Sequence, residues 1–186
     1  SAATNAGLGA LGTTGLAASS FALGVSTLST QSFSYTNKLT APASVSLRAQ
    51  DTDAVSSSGY TEEGPSLRSG RLRLFNAFGS EKASLEVPVQ ALYWSGQAWL
   101  INSADSSCTQ VPANAVVRAR YLNHQGAVTT GWTSSPAGSV SLLNGQGTLV
   151  MGAPTGGATG TVELAINLGN TSTDQSCLSA HPASTG

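Results

Sequence analysis

The chain has 186 residues, of which 40% are hydrophobic but only 9% charged, and its formal net charge is -1. That length holds one large β domain or two small sandwiches, and the charge content is far below the ~25% of ordinary globular chains. Eight Lys and Arg scattered along the sequence cannot neutralise a run of phosphates, so no nucleic-acid partner is expected. No apolar run reaches the ~20 residues of a membrane helix, so no membrane span is expected either.

Residues 1–20, SAATNAGLGALGTTGLAASS, are uncharged and low in complexity. Glycines at 7, 9, 12 and 15 interrupt the leucine spacing, and each costs a helix about 1 kcal/mol. One reading is a flexible leader or linker. The other is an extended arm that orders by adding a strand to the sheet edge of a neighbouring copy, with Leu8, Leu11, Leu16, Phe21 and Leu23 as its contacts. The second reading predicts a homo-oligomer or filament.

Phe21, Leu23 and Val25 alternate with polar or small residues, as do Phe33 and Tyr35, which predicts one or two strands over 21–35. A further strand is predicted over 43–50 through Val45, Leu47 and Ala49. Residues 51–65 read as a polar loop carrying Asp51, Asp53, Glu62 and Glu63. The EF-hand spacing is missing, so the loop reads as a solvated acidic segment and no metal is expected.

The clearest pattern is 68–101. Leu72 and Leu74 alternate with Arg71 and Arg73; Leu85, Val87, Val89, Ala91 and Tyr93 form a long run of period two; Trp99 and Ile101 follow. Breaks at 76–80 and 95–96 make this strand, turn, long strand, tight turn, strand, an antiparallel meander. Beyond a loop carrying Cys108, strands are predicted over 115–121, 127–132 and 161–168, with a hairpin on Asn144-Gly145 between 140–142 and 149–151. The tail from 170 is polar, carries Cys177, and opens on the N-glycosylation pattern Asn170-Thr171-Ser172. About ten short strands and no convincing helix predict an all-β, antiparallel β-sandwich of Ig-like or Greek-key type over 21–186, preceded by the arm. A split into two small β subdomains near 105–112 is the alternative division.

The two cysteines lie outside any CxxC and are too few for a zinc site. They read either as one disulfide, Cys108 to Cys177, or as two separate buried thiols. The disulfide would close a long loop, stabilise by roughly 4 kcal/mol in the chain-entropy model, and place the chain in an oxidising compartment. The histidines His124 and His181 sit in polar surroundings with no nucleophile motif nearby, and the glycine-rich stretches lack the Lys of a phosphate loop. No catalytic residue, cofactor or enzyme activity is therefore expected. Trp94 and Trp132 are the candidate ligand-facing rings, since indoles stack on sugar faces; core packing is the competing explanation for each. Tyr93 and Trp94 are adjacent in a strand and must point to opposite faces.

The segment 64–111 resembles the MshQ-like family, named for a protein encoded with the mannose-sensitive haemagglutinin type IV pilus of Gram-negative bacteria. The resemblance is carried by Arg71-Leu72-Arg73-Leu74, Asn76-Ala77, Gly79-Ser80-Glu81, Val87-Pro88-Val89, Tyr93-Trp94, Gly96, Ala98-Trp99 and Cys108. It implies an exported, cell-surface, non-enzymatic β protein found near pili, with Cys108 as a structural half-cystine. The resulting expectation is an extracellular structural or adhesion protein of a Gram-negative bacterium, pilus-associated or self-assembling by strand addition. The alternative is a carbohydrate-binding module that attaches cells to surfaces; pilus components and surface glycans are the partners these readings imply.

Overall fold

A computed structural model describes residues 6–12, 15–27, 32–37 and 39–167. Twelve strands and four short 3-10 turns lie among these residues, with no α-helix. The paired strands run antiparallel, as the alternating patterns require. They form one four-stranded sheet and four two-stranded sheets. The chain divides into two compact units, Ser1–Ser69 with Tyr93–Trp99, and Gly70–Leu92 with Leu100–Gly186.

In the first unit β1 (Gly9–Leu11) pairs with β2 (Phe33–Tyr35), Leu11 opposite Phe33. Gly9 is required there, because a Cβ would collide with the Ser34 carbonyl. β3 (Ala43–Ser44) pairs with β4 (Ser66–Leu67). The pairing continues irregularly through Val45 N–H to Pro65 O and Leu47 N–H to Glu63 O. The segment read as a polar loop is thus mostly the return arm of a hairpin. Its acidic groups are used locally: Asp51 Oδ1 accepts from the amides of Asp53 and Val55, and Glu62 takes both Arg48 Nε (2.8 Å) and Nη2 (3.0 Å). Val45 is buried beneath this hairpin.

The strand expected through Phe21, Leu23 and Val25 is instead a tight turn. Ala22 and Val25 exchange both backbone hydrogen bonds, and Leu23 (φ 49°) and Gly24 (φ 80°) take left-handed conformations between them. Gly24 supplies that conformation freely, which outweighs three alternating apolar positions.

The second unit is built on β5 (Gly70–Leu74) and β6 (Leu85–Trp94), with β7 (Trp99–Ile101) and β11 (Gln146–Met151) also hydrogen-bonded to β6. Pro88 lies inside β6 and has no N–H to give. Its carbonyl accepts from Phe75 at 3.0 Å, one residue past the end of β5, so the missing donor falls where that ladder stops. β8 (Gln110–Val111) pairs with β10 (Val140–Ser141). β9 (Val116–Asn123) pairs with β12 (Gly160–Ile166), with a register shift between Glu163 and Leu164. The expected strand over 127–132 is reduced to one bridge, Val128 with Leu122.

Side chains from all three of these sheets meet in one core. Val87, Val89 and Ala91 come from β6, Val111 and Val140 from β8 and β10, Val116 from β9, and Leu149 and Met151 from β11. The loop 102–109 fastens the β10–β11 turn to this core: Gly145 N–H donates to Asp105 O (2.8 Å) and Ser107 N–H to Leu142 O (2.7 Å). Asp105 is itself buried, its carboxylate accepting from Thr109 N (3.0 Å) and Oγ1 (2.6 Å).

Leu149 is fully buried, so Leu149→Ala is expected to lower unfolding free energy by about 2–5 kcal/mol in urea titrations. Gly145→Ala combines a positive φ of 74° with a Cβ 2.6 Å from Asn102 O, and is expected to cost about 1–3 kcal/mol. The Arg48 guanidinium holds Glu62 below its ordinary carboxylate value of 4.5, with Ser57 Oγ assisting. A depressed folded value means the contribution is present at neutral pH and fades as pH falls below that ordinary value. NMR titration of the Arg48→Met variant should show Glu62 moving back up toward it.

Candidate functional site

Among the described residues, the tip of the β6–β7 hairpin carries a pair of tryptophans beside a groove. Ser95 N–H donates to Ala98 O (2.9 Å), closing a turn on Gly96 and Gln97. Ser95 Oγ also accepts from the amides of Gln97 and Ala98. Gly96 holds φ 103°, and a Cβ there would stand 3.3 Å from that of Ala41. Trp94 and Trp99 are the next facing positions along the two strands. Their ring centroids are 5.5 Å apart with planes tilted by 58°. A cross-strand pair of this kind stabilises the hairpin by roughly 0.2–1 kcal/mol, so part of its role is structural.

Both indoles are half-buried, and with Leu39 and Thr40 they line an open groove of about 400 Å³. That lining has no ionisable group. Tyr93 points to the other face of the strand, where the Arg68 guanidinium lies 4.5 Å from its ring centroid. An uncharged pair of rings can hold the C–H face of a sugar or another flat apolar group; it offers no acid or base.

Of the two rings expected to face a ligand, Trp132 is only 6% exposed. It packs edge-on against Tyr121 at 4.8 Å, whose hydroxyl donates to Ser134 O. An indole so enclosed is core and cannot stack on a glycan. Trp99 takes its place beside Trp94. The signal for that substitution was in the sequence: the turn at 95–98 makes 94 and 99 cross-strand neighbours.

The expected arm contacts fall into two groups. Leu11 is half-buried in β1 and Leu8 half-buried beside it, its carbonyl accepting from Thr36 N–H (3.0 Å). Leu16, Phe21 and Leu23 are exposed, Leu23 completely so at 105%. Cys108 is exposed and its thiol is free, so the disulfide expected at this position is not formed; it follows Ser107 in a left-handed conformation (φ 67°). Cys177 lies outside the described residues, as do His181 and Asn170. His124 is exposed in a turn organised by Asn123 Oδ1, which accepts from the amides of Gln125 and Ala127. No group of three or more potential metal ligands occurs among the described residues, nor any helix long and apolar enough to cross a membrane.

Fold and groove together define an all-β, antiparallel domain with an aromatic surface groove. A family model described as DUF6701, fourth domain, matches residues 68–180. The chain belongs to that family, whose description assigns no activity. No curated protein and no solved structure matches the chain.

Proposed function

We propose that this chain is a non-enzymatic attachment domain of an extracellular surface protein, and that its adhesive contact is the Trp94–Trp99 groove. The observation that carries the proposal is a pair of half-buried indoles lining a groove with no charged residue in it. Charged groups elsewhere are few and mostly engaged, so aromatic stacking is the strongest specific interaction this surface offers. The resemblance to MshQ-like proteins supports a place at the surface of a Gram-negative cell, near pili.

Neutral glycans screened on an array and by titration calorimetry should bind the wild type. Trp94→Ala should weaken the best binder by about 2 kcal/mol, the size of an aromatic hot spot. Trp132→Ala should instead destabilise the fold by about 3–5 kcal/mol. A wild-type chain that binds nothing on the array would remove glycan attachment.

A second reading is favoured by one separate observation. Leu16, Phe21, Leu23 and Val25 are all exposed within ten residues that carry no charge. Such a patch is the kind of surface that associates, and it supports self-assembly of copies through the N-terminal region. Sedimentation velocity decides: Phe21→Ser with Leu23→Asp should convert an oligomer to monomer, whereas a wild type that is monomeric at all concentrations would end this reading.

A further inference from the structure

The sequence contains a single Asn-Gly dipeptide, Asn144-Gly145. Without a side chain on the second residue, such pairs deamidate spontaneously. The Gly amide loses its proton to solvent and its nitrogen attacks the Asn Cγ. The Cγ–Nδ2 bond breaks and ammonia leaves with a proton. Water then opens the succinimide ring to aspartate or isoaspartate. The reaction needs a free Gly N–H and an Asn side chain able to swing over it.

Neither is available here. Gly145 N–H donates to Asp105 O at 2.8 Å, and Gly145 O accepts from Ala91 N–H at 2.8 Å. Ser106 Oγ donates to Asn144 Oδ1 (3.1 Å) and accepts from Asn144 N–H (3.1 Å). The turn is closed by Leu143 and Gln146, which exchange both backbone bonds. Asp105 cannot drift, because it is buried and its carboxylate is held twice by Thr109. Both residues that the reaction must move are thus fastened by one loop, 102–109.

We propose that Asn144-Gly145 is a latent self-modification site that the 102–109 loop keeps shut in the folded chain. Opening the loop releases the nucleophile and the amide together. Isoaspartate would then insert an extra main-chain carbon between β10 and β11. The bonds from Gly145 to Ala91 and Asp105 could not re-form in register, and Leu149 and Met151 follow on the displaced strand. An opening event would therefore leave a permanent covalent mark and a weakened core.

Incubating the intact chain in mildly alkaline buffer, with and without denaturing urea, tests this. The Asn144 peptide is followed by mass for exchange of the amide for a carboxylate. The native chain should react at least about tenfold more slowly than the unfolded one, equivalent to ~1.4 kcal/mol on the barrier. Ser106→Ala, checked as folded by circular dichroism, should fall between them. If Ser106→Ala does not fold, Thr109→Val, which frees one bond to the Asp105 carboxylate, serves in its place. A native rate equal to the unfolded rate, or a folded loop variant no faster than wild type, overturns the proposal.

Discussion

The structure of the second unit depends on β6 keeping its two faces distinct. Val87, Val89 and Ala91 alternate into the core, and a slip of one residue would turn all three outward. The register is fixed from one side by six consecutive partners on β11, from Gln146 against Gln90 to Met151 against Leu85. On the other side Pro88 sets a limit, since it can accept from Phe75 but cannot donate back. A long strand with one ladder truncated by a proline has a single favourable alignment. The turn at Asn144-Gly145 inherits its position from it.

The scarcity of charge has a structural counterpart in how the few charges are used. Arg48 grips Glu62 and Arg120 grips Glu163, each with two bonds. Arg68 lies over Tyr93 and Arg73 over Phe75, 4.4 Å from its ring centroid. The Arg120 pair is exposed and the Arg48 pair partly so, and surface pairs of this kind contribute little to stability. The surface is otherwise poor in charge and carries large exposed apolar side chains such as Phe78, Tyr60 and Leu23. Such a surface has little electrostatic repulsion toward neutral ligands or copies of itself, which motivates the attachment and self-association proposals.

The sequence made the central part of the fold legible and misled at its margins, for a consistent reason. Where alternation ran for many residues, as from Leu85 to Tyr93, the strand and its buried face followed directly. Where it ran for three, as at Phe21, Leu23 and Val25, a single glycine with a left-handed backbone decided the outcome. Between 127 and 132 the polar Thr129, Thr130 and Gly131 gave too little apolar surface to hold a strand, and only Val128 is bridged. The groove was half legible. Trp94 was visible as the partner face of Tyr93, but the choice between Trp99 and Trp132 required knowing which ring Tyr121 would enclose, a contact between residues on different elements that no local period encodes.

On the proposed attachment reading, Trp94 and Trp99 would serve structure and binding with the same atoms. As a cross-strand pair they hold the hairpin tip together, and the Ser95 hydroxyl and the Gly96 turn hold them in place. Rings immobilised this way lose little further freedom when a ligand arrives, so the entropy of ordering two large side chains is already spent in folding. On that reading the stapling role would make the pair a better preformed contact, because the rings that hold the hairpin together are already ordered before a ligand arrives.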